Sequence, residues 1–251
     1  MMHDGISPLL EFASEKLHVL LLVMAAIYAF KISWVLRHPA GRERQAGSGS
    51  PHTNATKGAA MSLFSIAMPW TMESARKHPF LYVQFVVFHV CVATSIAMTI
   101  VFSYLPWLIA SKPAVFALQA VYAAGFIVGC MRLLRRAADR YVRAVSTPDD
   151  YFSLGLLVVW IALSFLVAAQ APAFAAAKGQ WDPGAAAAPL SEAPVLAYYF
   201  ITSFFLLYVP FSKISHYIYY PFTRWYLGKT LGHRGVYPVR RYPVRTGGAG
   251  A

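Results

Sequence analysis

Five stretches of this chain each run for about twenty residues with almost no charge, the length an α-helix needs to cross a bilayer. That repetition constrains the fold more than any single motif. Hydrocarbon offers no hydrogen-bond partners, so a backbone inside it must satisfy itself as a helix or as a closed barrel. Barrel strands need only about ten residues, and these stretches are longer. The chain therefore reads as an all-α integral membrane bundle with five transmembrane helices, at 17–36, 79–105, 114–134, 151–171 and 195–220. The fifth is expected to continue as a helix toward Leu227. Only 13% of the residues are charged, against roughly 25% in a soluble domain.

The segments between the spans set the expected topology. The connection 37–78, the connection after the third span, and the end of the fifth span with its tail hold eighteen of the 22 basic residues. Only Lys16, Lys112 and Lys178 fall on the opposite side, and Lys31 lies inside the first span, where its stem can snorkel. The excess of Lys and Arg marks the cytoplasmic side, giving an N-terminus outside and a C-terminus in the cytoplasm of a prokaryotic inner membrane. The net charge of +12 therefore reads as topology rather than nucleic-acid binding. Residues 1–16 form an outer segment without a basic leader region, so the first span is expected to be retained. Residues 17–227 form the membrane domain and 228–251 a basic cytoplasmic tail. Within 37–78, AGSGSPHTNATKG reads as a flexible linker, and MSLFSIAMPWTMES as a segment on the membrane surface with Trp70 at headgroup depth. Asp149 and Asp150 are placed to cap the fourth span. Cys91 and Cys130 both lie inside spans, which excludes a disulfide framework.

Eight histidines remain to be placed. His3, His38, His52 and His233 lie in polar segments and carry no assigned role. His18 and His78 sit at the ends of the first and second spans, where interfacial polarity accounts for them. His89 and His216 differ. His89 is about 15 Å into the second span from its inner end, and His216 lies toward the inner end of the fifth. Ionisable groups inside a membrane are costly and usually functional. Neutral imidazole is a standard axial ligand of haem iron, and the antiparallel run of the two spans lets these residues share the inner half of the bundle. Two histidines hydrogen-bonded to other helices, or a proton relay, account for the same placement. A Ser/His/Asp set or an HExxH zinc motif is absent from the sequence, and no internal repeat or intramembrane acid suggests a transporter.

Three runs carry a resemblance: Val87-Phe88-His89-Val90, the basic LLRRAADRYVRAVSTPDDYFSLGLLVV, and FFLLYVPFSKISHYIYYPFTRWY with its Pro-Phe-Ser-basic-x-x-His order. Together they resemble the cytochrome b membrane subunits typified by the gamma subunit of respiratory nitrate reductase. Related membrane cytochromes accompany heterodisulfide-reductase-like and sulfite-reductase-linked complexes. The resemblance covers 80–227. It implies an electron-transfer subunit of a quinone-linked oxidoreductase, exchanging electrons between the quinone pool and an iron–sulfur or catalytic partner on the cytoplasmic face. It implies haem b held by His89 and His216. Lys213, Ser212, Arg135 and Arg136 are candidates for haem propionate or quinone contacts. The places matching the relatives' second, outer pair of ligands hold Thr99 and Tyr198. One haem is therefore expected, with two still possible, and His18 and His78 are the lesser ligand candidates. The alternative is a haem-free structural anchor for a membrane complex.

Overall fold

The computed structural model describes residues 6–38, 41, 45–182 and 189–237. His3 and most of the basic tail, 238–251, lie outside the described residues. Every described element is a helix or a helical turn. In chain order they are α1 (Pro8–Arg37), α2 (Ala55–Phe64), α3 (Glu73–Lys77), α4 (Pro79–Tyr104), α5 (Lys112–Ala138), α6 (Arg140–Ala144), α7 (Pro148–Ala168), α8 (Ala171–Ala177), α9 (Glu192–Tyr208) and α10 (His216–His233). Five helical segments are long and apolar enough to cross a membrane: α1, α4, α5, α7, and α9 extended through its closing turn to Phe211. Large apolar side chains are exposed around them, among them Leu22, Phe30, Phe116 and Phe200, as expected of helices facing lipid. The chain is a multi-pass membrane protein.

Two compact units divide the described chain. The first holds α1 up to Lys31 and residues 80–215; the second holds 32–79 and everything from His216 onward. In the first unit α7 is packed between α5 and α9. Gly125 and Gly129 make the close approach possible on α5. A Cβ at Gly125 would fall 2.2 Å from Cys91 Sγ of α4, and one at Gly129 would fall 2.7 Å from Val158 Cγ2 of α7. Without a hydrophobic drive between helices in lipid, such small-residue contacts supply the dispersion energy that holds a bundle. Trp160 stacks on Phe205 at 4.7 Å, and Phe102 stacks on Phe174 at 4.5 Å. Cys91 and Cys130 are free thiols inside helices.

The fifth span is not one helix through Leu227. The α-helix stops at Tyr208, passes through the tight turns Val209–Phe211 and Lys213–Ser215, and resumes at His216. Pro210 has no N–H with which to continue the helix, and the serines take the Val209 carbonyl instead. Ser212 and Ser215 both donate their hydroxyls to it, at 3.1 and 2.5 Å. Lys31 does not merely snorkel, because its ammonium donates to the Pro210 carbonyl and lies over the Phe211 ring at 4.6 Å. The first span also starts earlier than expected, at Pro8, where Ser7 N–H donates to Glu192 Oε1 at 2.7 Å. At the start of α7 the N-cap is Thr147 rather than either expected aspartate: Asp150, inside the first turn, completes a capping box by accepting from Thr147 N–H at 2.8 Å, and Asp149 accepts from Tyr208 OH instead.

The second unit is built on α2 against α10. Of the stretch read as a linker, 46–54 forms no helix and 55–58 opens α2, while the segment read as lying on the membrane surface is the end of α2 followed by helical turns. Asn54 Oδ1 caps α2 by accepting from Lys57 N–H at 2.9 Å, and Gly58, Ala59 and Ser62 are buried. They meet Gly228 and Gly232, four residues apart on α10. A Cβ at Gly58 would lie 2.3 Å from Gly228 O, so the two backbones are in direct contact. Polar latches close the pair: Tyr220 OH donates to Leu63 O at 3.1 Å, and Arg224 donates to Ser65 Oγ at 2.9 Å. Trp70 is exposed.

Candidate functional site

His89 takes its direction from its neighbours. Phe88 is buried against Gly129 of α5, which has no side chain to exclude it. The next residue lies about 100° further round the helix, so His89 faces out of that packed interface and is exposed. Its ring lies 4.0 Å from that of Phe85, and its Nδ1 is 2.8 Å from the Phe85 carbonyl one turn back. A carbonyl only accepts, so Nδ1 is the donor, and the neutral ring carries its lone pair on Nε2. This is the arrangement by which metal-ligating histidines have their tautomer and ring orientation fixed. The Arg132 guanidinium sits 5.4 Å from the centre of the adjacent Phe88 ring.

His216 is the first residue of α10 and is also exposed. It belongs to the second unit, and His89 to the first. Neither imidazole is buried. Among the described residues no three His, Cys, Asp or Glu side chains form a metal-holding group, and bis-imidazole ligation of haem needs only two side chains.

The four further contact candidates behave differently from one another. Lys213 Nζ donates to Thr147 Oγ1 at 2.9 Å and to Asp150 Oδ1 at 3.0 Å. Arg136 donates to Ser146 Oγ at 2.6 Å and lies 3.7 Å from Asp150 Oδ2. Asp150 thus gathers both cations at the start of α7, and a propionate would have to share them. Ser212 gives its hydroxyl to its own turn. Arg135 is exposed, and its carbonyl closes α5 by accepting from Asp139 N–H at 2.9 Å. Lys213 and Ser212 precede His216 in the turns rather than sharing a helix with it. His78 is exposed at the end of α3.

Thr99 and Tyr198 meet. Their hydroxyl oxygens are 3.1 Å apart and both side chains are buried. A porphyrin between these two side chains would require that contact to open. The pair belongs to a buried hydroxyl seam that sequence reasoning missed. Ser95, Thr99 and Ser103 recur every four residues on α4, with Ser103 Oγ donating to Thr99 O at 2.8 Å. Across from them Trp160 Nε1 donates to Thr202 Oγ1 at 3.0 Å. The four-residue spacing of hydroxyls was the available signal. The same period marks Gly125 with Gly129 and Gly228 with Gly232, the small-xxx-small pattern of close-packed helices.

His18 stacks on Tyr104 with ring centres 4.5 Å apart, and its Nε2 is buried without a hydrogen-bond partner. Comparison of the chain with family models, with curated proteins and with solved structures finds no match.

Proposed function

We propose that the chain is a haem b-carrying membrane subunit that passes electrons between the quinone pool and an iron–sulfur partner on the cytoplasmic side of a prokaryotic inner membrane. The observation that carries this reading is His89: an imidazole on a membrane-spanning helix, turned out of the packed core by Phe88, with Nδ1 tied to the Phe85 carbonyl and the lone pair on Nε2. His216 is the second ligand, presented at the first turn of α10 directly after the Pro210 break.

Each of these two residues offers one imidazole, and bis-imidazole ligation of a single haem needs two. Bound there, it would carry one electron at a time, with its potential tuned by the axial imidazoles and their hydrogen bonds. The chain's own part is to orient His89 through Phe85, and to hold the segment before His216 by Lys31 and Lys213. The Thr99–Tyr198 contact supports one haem rather than two. The basic connections support the cytoplasmic placement of the partner-facing side.

The test is a dithionite-reduced minus oxidised spectrum of the full-length protein with haem and protein quantified, beside His89→Ala and His216→Ala. One low-spin b haem per chain, lost in both variants, is the expected result. A spectrum without b haem would overturn the reading and leave the structural anchor.

A further inference from the structure

The basic end of the first unit carries more cations than its carboxylates hold. Five arginines between 132 and 143, with Lys213, stand against three aspartates. Each aspartate is engaged. Asp139 caps α6, Asp149 accepts from Tyr208 OH at 2.6 Å, and Asp150 takes Lys213 and Arg136. Arg140 and Arg143 reach Tyr141 OH and Ala137 O. Arg135 is exposed, but Arg132 is half-buried. Among the described residues the Arg132 guanidinium has no oxygen acceptor. It lies over the Phe88 ring, and its charged neighbours are Arg136 and Arg135.

The place of Arg132 on α5 says from which side an acceptor can come. At 100° per residue, Arg132 falls between the packed face of Gly125 and Gly129 and the side of Ile127 and Met131, whose side chains are exposed among the lipid-facing ones. A guanidinium at that border loses water to the seam and stays open to the bilayer. Its N–H donors are costly to leave unmet there. A second polar group on the same seam is also poorly served. Gln84, buried one turn before Phe88 on α4, gives its amide to Met131 Sδ at 4.0 Å, a weak acceptor.

These observations ask for an anionic oxygen group with further hydroxyls, delivered from the lipid side. A phosphodiester suits the planar guanidinium, which can give it two parallel N–H···O bonds. An ammonium on the same headgroup is disfavoured, because Arg135 and Arg136 stand beside the site. Free phosphate would make no use of the apolar flank, whereas acyl chains can run along Met131 and Ile127 toward the bilayer centre. Basic pockets between membrane helices bind anionic headgroups in this way.

We infer that the α4–α5 edge at Arg132 holds the headgroup of an anionic phospholipid of the phosphatidylglycerol kind. The phosphate sits on Arg132 and Arg135, and the glycerol hydroxyls lie toward Gln84. The inference goes beyond the electron-transfer reading and does not depend on it.

The experiment uses the full-length protein in neutral detergent, titrated with phosphatidylglycerol or with phosphatidylcholine of the same chains. Bound lipid is counted by native mass spectrometry. One phosphatidylglycerol should be retained, with phosphatidylcholine at least about tenfold weaker, and inorganic phosphate should not displace it. Arg132→Gln should weaken phosphatidylglycerol by about tenfold, the loss of a charge-assisted contact. Arg140→Gln removes the same charge from an exposed arginine and should change binding by less than about twofold. Arg132→Lys keeps the charge without the fork, should fall between wild type and Arg132→Gln, and carries the test if Arg132→Gln does not fold. Equal affinity for the two lipids, full displacement by inorganic phosphate, or an Arg140→Gln loss matching that of Arg132→Gln overturns the inference. Haem is quantified in the same preparations, and an Arg132→Gln chain that loses haem while keeping its lipid overturns it too.

Discussion

Gly58→Ala sets two effects against each other, and the structure decides the sign. Alanine is the better helix former by about 1 kcal/mol, so propensity alone says that α2 is stabilised. The added Cβ, however, lies 2.3 Å from Gly228 O, 2.6 Å from Gly232 Cα and 2.9 Å from Gly232 N. All three are backbone atoms, and no rotamer can move them aside. Restoring an ordinary contact of 3.4 Å means separating α2 from α10 by about 1 Å, which forfeits a quarter to a half of the dispersion attraction across the seam. Overpacking of this kind costs about 1–3 kcal/mol, and α2 has only ten residues, too few to stay helical unsupported. The net expectation is destabilisation of α2 by up to about 2 kcal/mol, or as much as about thirtyfold faster amide exchange. Hydrogen–deuterium exchange of peptides covering 55–64 and 216–233, in nanodiscs, reads this directly. Gly155→Ala is the control, because a Cβ there meets nothing within 4 Å, and the thermal midpoint should hold or rise. Slower exchange of α2 in Gly58→Ala would refute the reasoning, since it would mean that propensity acts unopposed and the glycine seam is not formed.

Two other perturbations have defined outcomes. Lys31→Met removes the ammonium from the Pro210 carbonyl and from the face of Phe211. It should destabilise the turns at 209–215 by about 1.5–3 kcal/mol, the range for a hydrogen bond to a charged group, seen as faster exchange there with α5 and α7 unaffected. Asp139 caps α6 by accepting from Tyr141 and Val142 N–H, and these bonds hold its carboxyl below the usual aspartate range. A folded value below the unfolded one means that the cap's stabilisation is present at neutral pH and fades as pH falls through the folded value. Amide exchange of 140–144, corrected for its intrinsic pH dependence, should therefore lose protection in acid, and Asp139→Asn should flatten that response.

The candidate site was partly legible in the sequence. His89 and His216 stand out because an imidazole in an apolar run is rare, and their identities needed no coordinates. Their surroundings did. The exposure of His89 follows from Phe88 seating against Gly129, forty-one residues away. Lys213 and Arg136 looked like open cations, yet both converge on Asp150.

What the sequence determined by itself is the number of spans, their helical state and the asymmetry of charge. These follow from properties summed along a local window: about twenty apolar residues suffice to span a bilayer, and lipid forces the helix. The break at Pro210 belongs with the structure instead, because the apolar run around it reads as one continuous helix. Only the tertiary structure decided which small residues face each other, that Thr99 and Tyr198 share a hydrogen bond, and that Lys31 closes the broken fifth span. Each joins positions far apart in the chain, and their meeting is fixed by side-chain volume and polar satisfaction across helices. A hydropathy pattern records which residues avoid water but not which of them touch.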